Sequence, residues 1–325
     1  MHPAFSVIFL TTLIGVGQGL FLALVTGQSY AAVGFIEIEN ASRFYAHGSM
    51  IALVFLIAGL VASFFHLGHP ERAWRSAARW RTSWLSREVI ALPAFMAAVF
   101  AYGLLHYMGW DFSVLQTQNP SQGQASLFIG ILGTLLCFVL FICTGMIYAC
   151  LKFIQEWHNP LTLINYTLFG AASGFLFASA MSAHESASLM KLYGVWAAIL
   201  TGIVFVTRIA SLIRNARIKY KSSLQSAIGV RHNQIQQKAQ GAMGGSFNTR
   251  EFFHGKSAVF FKSIKWIFLL LVFPVPMALL WAGMQTEEGA LLFAAFGIQY
   301  IGLIAERWFF FAQAKHPQNL YYQVI

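Results

Sequence analysis

SLFIGILGTLLCFVLFICTGMIYACL, residues Ser126–Leu151, runs for 26 residues without a charged side chain. As a helix rising 1.5 Å per residue it would extend about 39 Å, enough to cross a hydrocarbon core of ~30 Å. In lipid the backbone polar groups must be satisfied internally, which leaves only helices and closed β-barrels. Barrel strands are short and alternate apolar with polar positions. This run is apolar throughout, so it reads as a helix.

Seven further segments read the same way: Ala4–Thr26, Tyr45–His66, Glu88–Tyr107, Leu161–Met181, Leu192–Leu212, Val259–Met284 and Gly289–Gln313. The composition agrees. Of 325 residues, 58% are hydrophobic and only 10% charged, with a mean hydropathy of +0.63, whereas soluble domains carry about 25% charged residues. The expected class is all-α, a polytopic bundle of eight transmembrane helices forming a single integral membrane domain over residues 1–325. The opening MHPAFSVIFLTTLIGVGQG has no basic n-region and reads as the first span, not as a cleaved signal.

The net charge is +10, which in a soluble protein would suggest nucleic acid. Here the basic residues collect in two loops and no nucleic-acid module is present, so that partner is excluded. One loop joins helices 2 and 3 and holds Arg72, Arg75, Arg79, Arg81 and Arg87. The other, residues 214–257, holds Arg214, Arg217, Lys219, Lys221, Arg231, Lys238, Arg250 and Lys256. The opposite loops carry Glu37, Glu39, Asp111, Glu287 and Glu288, with Arg43 the lone basic residue near the first two. Basic loops stay inside, so both termini and both Arg-rich loops are expected on the cytoplasmic side. The long polar loop contains GAMGGSFNTREFFHGK, whose glycines suit a linker and whose aromatic and charged residues suit a docking segment for a partner.

Ionisable residues in or beside apolar spans are costly, and each is a candidate for function. His66 ends helix 2 and Glu88 begins helix 3, so the hairpin places both at one face. Arg307 falls in the last turns of helix 8, on the same face by parity; of Arg307 and its neighbour Glu306, only one need point inward. An imidazole accepts a proton near neutral pH, a partly buried carboxyl also does so, and an Arg stabilises an adjacent oxyanion. That set suits quinone chemistry. The same residues also fit blander roles: an interfacial His, a carboxylate at a helix N-terminus, a snorkelling Arg. Gln18 sits mid-helix, able to bond a quinone or bridge helices, and Gly15 and Gly19 beside it have small-xxx-small spacing. Cys137, Cys143 and Cys150 are too few to hold a cubane cluster and read as small buried hydrophobes. His47, His106 and His184 fall near the other face, where axial ligation of a haem b is an alternative. Pro274 and Pro276 predict a kink in helix 7, the one feature a secondary transporter would share.

FHLGHPERAWRSAARWRTSWLSREV, Phe65–Val89, resembles the helix 2–3 segment of the dimethyl sulfoxide reductase anchor subunit family, with its HLGxPxRA element followed by Leu85, Ser86, Arg87 and Glu88. HPAFSVIFLTTLIGVGQG and the last-helix ERWFFF are similar to that family too. The resemblance spans nearly the whole chain and is weakest in the long loop, which looks more like a sulfite-oxidising branch. It implies the membrane anchor of a molybdopterin oxidoreductase in the bacterial inner membrane. The implied partners are an iron–sulfur electron-transfer subunit and a molybdopterin catalytic subunit. The implied ligand is menaquinone or ubiquinone, with no haem, metal or iron–sulfur cluster in this chain. By the family pattern His66 and Glu88 map to the quinone site, Arg307 to a helix 8 arginine, and Arg72, Arg75, Arg79 and Arg81 to the docking face. Sulfoxide reduction and sulfite oxidation both remain open, since the catalytic subunit sets the direction.

Overall fold

The computed structural model describes residues 1–36, 41–110, 124–220, 222–235 and 254–317. Its helices are α1 (Phe5–Ala32), α2 (Ala41–Phe64), α3 (Trp84–Met108), α4 (Gln124–Ala149), α5 (Pro160–Ser182), α6 (Ala187–Ala216), the short α7 (Leu224–Ile228), α8 (Ala258–Val272), α9 (Pro274–Thr286) and α10 (Gly289–Ala312). A 3-10 segment covers Pro70–Arg79 between α2 and α3. Among the described residues there is no strand, and eight helical spans, with α8 and α9 counted as one, are long and apolar enough to cross a membrane. The all-α expectation holds.

Local chemistry sets the helix ends. Ser83, extended, accepts a hydrogen bond from the Ser86 amide and caps α3. This starts the helix at Trp84, four residues earlier than the apolar pattern suggests, and moves Glu88 from the first position to one full turn inside. Asn159 caps α5 with Pro160 at the first helical position. The expected kink at Pro274 is a break: α8 stops at Val272, Phe273 takes φ −110° and ψ −81°, and Pro274 opens α9. The break frees the Val272 carbonyl, which accepts from Gln299 Nε2 of α10 at 3.4 Å.

Helix α1 is the hub. It is buried along most of its length and packs against α2, α4, α5 and α10. A helix apolar all round belongs in the middle of a bundle. Its closest neighbour is α5: a Cβ on Gly19 would lie 2.0 Å from the Gly170 carbonyl oxygen, and one on Gly174 would lie 2.0 Å from the Gly19 carbonyl carbon. The Gly15/Gly19 spacing therefore serves helix packing.

Cys137 and Cys143 are buried in α4, whereas Cys150, expected to be buried, is exposed just beyond its end. Arg214, read from sequence as the start of the long loop, lies in α6 and donates to the Gln155 carbonyl at 3.0 Å. Of that loop, residues 221 and 236–253 lie outside the described residues, and with them most of the expected docking segment. Glu37, Glu39 and Asp111, three of the acidic residues that point to the orientation, lie outside them too.

Candidate functional site

The candidate residues His66, Glu88 and Arg307 lie at the face reached by the starts of α1, α3, α5 and α8 and the ends of α2, α4, α6 and α10. At 1.5 Å per residue, Glu88, Thr144, Tyr166, Glu306, Arg307 and Arg208 all fall within about 12 Å of the helix ends on this side. They form a polar layer near the end of the bundle that carries the first basic loop.

Glu88 is 8% exposed and accepts a hydrogen bond from the Thr144 hydroxyl across the α3–α4 contact. Its position follows from the Ser83 cap, which turns the carboxyl toward α4. The Tyr166 phenol on α5 donates to the Thr11 carbonyl at 3.4 Å, and Tyr166 and Tyr148 both lie within electrostatic range of Glu88 and of Arg307.

Arg307 is buried and lies over the rings of Tyr166 and Phe310 at 5.1 and 5.2 Å. Glu306 is buried as well, against the sequence argument that only one of the pair need face inward. The extra carboxylate is accommodated by Arg208 of α6, whose Nη2 stands 2.8 Å from Glu306 Oε1, while Arg307 Nε stands 3.4 Å from Glu306 Oε2. Adjacent residues on a helix do not face each other, but here one carboxylate bridges guanidinium groups from two helices. Arg208 was not among the residues singled out from sequence. A charged residue inside an apolar span is the signal that points to it. Beside Arg307 a void of about 10 Å³, room for one water, is lined by Thr11, Thr12, Tyr166 and Ser173.

His66 lies past the end of α2, exposed, and partial desolvation draws its imidazole below the usual pKa. Among the described residues His66 and Glu88 are not hydrogen-bonded to each other. Gln18 is fully buried, and its Nε2 donates to the Cys137 carbonyl at 3.0 Å, tying α1 to α4. His47 is exposed on α2, His184 is exposed in the α5–α6 turn, and His106 is buried against the rings of Tyr45 and Tyr102. Among the described residues no group of three or more His, Cys, Asp or Glu is placed to hold a metal ion.

Arg72, Arg75, Arg79 and Arg81 of the first basic loop are exposed, and Arg87 is half-buried. Arg72 is 3.6 Å from Glu71, Arg75 stacks on Trp74, and Arg81 stacks on Trp80. Arg79 ends the 3-10 segment. Arg87 is committed locally: Nε donates to the Trp80 carbonyl and Nη2 to the Arg81 carbonyl, both at 2.9 Å, and the guanidinium lies over Trp84. Below it an apolar groove of about 350 Å³ follows the α3–α4 seam, lined by Ile90, Ala94, Leu136, Val139 and Cys143 among others. Glu88 and Thr144 do not line the groove, but Cys143, which does, lies within electrostatic range of Glu88.

Residues 1–234 match the family described as DMSO reductase anchor subunit (DmsC). The chain belongs to the dimethyl sulfoxide reductase anchor subunit family. It is 56% identical to the C subunit of the sulfite dehydrogenase of Allochromatium vinosum over 325 residues, the whole of both proteins. It is 27% identical to the C component of the anaerobic dimethyl sulfoxide reductase of Haemophilus influenzae over 147 residues, 45% of this protein and 48% of that one. As a member of this anchor family, the protein is a multi-pass membrane anchor subunit of an oxidoreductase, which implies catalytic and electron-transfer partners.

Proposed function

We propose that this anchor is the quinone-binding subunit of a heterotrimeric molybdopterin oxidoreductase of the sulfite-oxidising kind. In this reading it exchanges electrons with an iron–sulfur subunit docked on its basic face. The observation that carries the reading is Glu88, a carboxyl buried in a membrane helix one turn below that face and held by Thr144. Such a residue is kept at a cost that a proton-handling role explains.

A bound quinone supplies a two-electron, two-proton couple between the lipid phase and the partner's nearest cluster. The residues present fit it: a buried carboxyl with one donor, an imidazole at the same face, and an apolar groove alongside suited to the isoprenoid tail of menaquinone or ubiquinone. Glu88 exchanges a proton at its carboxyl oxygen. His66, neutral near pH 7 and close to water, passes protons between the site and solvent. Arg307 supplies fixed positive charge. Gln18 ties α1 to α4 through Nε2, and its buried Oε1, without a partner among the described residues, is an acceptor that a quinol hydroxyl would satisfy. Arg72, Arg75, Arg79 and Arg81 present the docking charge, and the positive-inside pattern supports a cytoplasmic side for this face and both termini.

The full-length identity to a sulfite dehydrogenase subunit supports flow from sulfite to quinone; sulfoxide reduction is the other direction open to the family. Replacing Glu88 with Gln, or His66 with Ala, is expected to abolish quinone-linked turnover and weaken binding of a quinol-analogue inhibitor while the complex still assembles. Unchanged inhibitor binding and turnover in both variants would remove the site assignment.

A further inference from the structure

Arg87 has no part in the proton exchange assigned to Glu88, and its side chain is engaged elsewhere. The 3-10 segment ends at Arg79, and among the described residues no backbone amide donates to the Trp80 or Arg81 carbonyl beyond it. Arg87 satisfies both: Nε donates to Trp80 and Nη2 to Arg81, each at 2.9 Å. A guanidinium presents its N–H groups as a rigid planar fork that an ammonium does not reproduce. The same group lies 4.2 Å over the Trp84 ring. One side chain thus ties the end of the basic loop to the first turn of α3.

The strap it holds, residues 78–82, borders two hollows. One is a cleft of about 410 Å³ lined by Ala78, Arg79, Trp80, Arg81 and Thr82, on the surface that carries the docking arginines. The other is the apolar groove of the α3–α4 seam, whose upper end is formed by Trp80, Trp84 and Arg87. From Trp84 to Ala94 that groove follows α3 for about 15 Å. Trp80 lines both hollows. The first turn of α3 is fixed by the Ser83 cap and carries Arg87, turned out to the strap, next to Glu88, turned in to Thr144. A displacement of the strap is therefore transmitted to the rim of the groove.

Resting on the reading of this groove and this face as the quinone and partner sites, we propose that Arg87 couples them. A subunit docked on the arginines immobilises the strap, and the strap, through Arg87, keeps the two indoles closed over the upper end of the groove. A ligand held under that rim in turn keeps the strap in the form that the partner binds, since coupling between two sites is reciprocal. Arg87 is a positioning residue: it acts through the strap and the indoles and exchanges no proton.

The test measures retention of the peripheral subunits on the solubilised complex over a range of salt, with and without saturating 2-heptyl-4-hydroxyquinoline N-oxide. Binding of this quinol analogue is followed by its fluorescence, so that every variant is compared at saturation. In the parent the inhibitor is expected to tighten retention by about fivefold or more, the lower end of ordinary coupling between sites. Arg87→Met keeps an unbranched apolar stem and loses both donors, and is expected to abolish that inhibitor-linked change. Where Arg87→Met does not assemble, Arg87→Lys, which keeps the charge and loses the fork, is expected to lose most of it. A residue that only supports the fold would weaken retention equally with and without the inhibitor. An inhibitor-linked change of parental size in the Arg87 variants, or none in the parent, overturns the proposal. Glu88→Gln keeps the two readings apart. If it leaves inhibitor binding unchanged, the quinone-site assignment fails whatever the retention shows. If it abolishes binding while the Arg87 variants behave as the parent, only the coupling fails.

Discussion

At the scale of single residues, the Glu88–Thr144 pair shows what can be inferred from sequence and what cannot. Glu88 stands out because a carboxylate at the boundary of an apolar run is rare. Thr144 does not, because a threonine in a membrane helix ordinarily bonds its own carbonyl one turn back, as Thr26 does to Leu22 at 2.8 Å. Only the packing of α3 on α4 reveals that this hydroxyl turns outward to another helix. Thr144→Val keeps the shape and removes the donor, leaving a buried carboxyl with nothing to bond. The expected loss is about 1–3 kcal/mol of stability, the penalty for an unsatisfied buried polar group. It would be read as a lower unfolding midpoint in detergent, with Thr144→Ser restoring most of it. A midpoint that does not move would mean that water replaces the hydroxyl.

Helices and their contacts raise a different question, because the α1–α5 crossing tolerates no side chain. Gly19→Leu places a branched side chain where the Gly170 carbonyl stands, and overpacking of this kind costs about 1–3 kcal/mol or forces the backbones apart. The expected outcome is reduced yield of folded protein and a lower thermal midpoint, whereas the same change at Gly202, which faces open space, leaves both unaltered. The small-residue spacing on α1 was legible in the sequence; its partner glycines on α5 were not, since one helix's pattern does not say which helix it meets. Register failed in a similar way. Hydropathy alone starts helix 3 at Glu88, but the Ser83 cap starts it at Trp84 and thereby buries the carboxyl. The break at Phe273 was half visible. Two prolines announce a kink, but the donor that makes a full break tolerable, Gln299, sits on another helix. Gln299→Leu leaves the Val272 carbonyl without that donor and is expected to cost about 1 kcal/mol, the net worth of one hydrogen bond, measurable by the same unfolding assay.

For the whole molecule, the eight spans were readable from composition and run length because lipid admits so few architectures. The charge layer was not, because Arg208 of α6 meets Glu306 of α10 only in the assembled bundle, through long side chains and across α5, which packs against both helices. Above that layer the exposed 3-10 segment and its flank carry Arg72, Arg75, Arg79 and Arg81, with Trp74 and Trp80 exposed between them. Arginine and tryptophan together are the side chains most often found at the centre of protein interfaces, whereas setting topology requires positive charge but not its placement on a structured, aromatic surface. The two roles separate by experiment. Reversing Arg79 and Arg81 to Glu leaves Arg72, Arg75 and the second basic loop to hold the orientation, so membrane insertion and the sidedness of the termini are expected to persist. Docking through complementary charge would weaken, and more so as salt screens what remains over a Debye length of ~8 Å at 0.15 M. The peripheral subunits are therefore expected to elute from the reversed variant at moderate salt while staying bound to the parent. Retention of the full complex on that variant would assign these arginines to topology alone and move the docking surface toward the second basic loop.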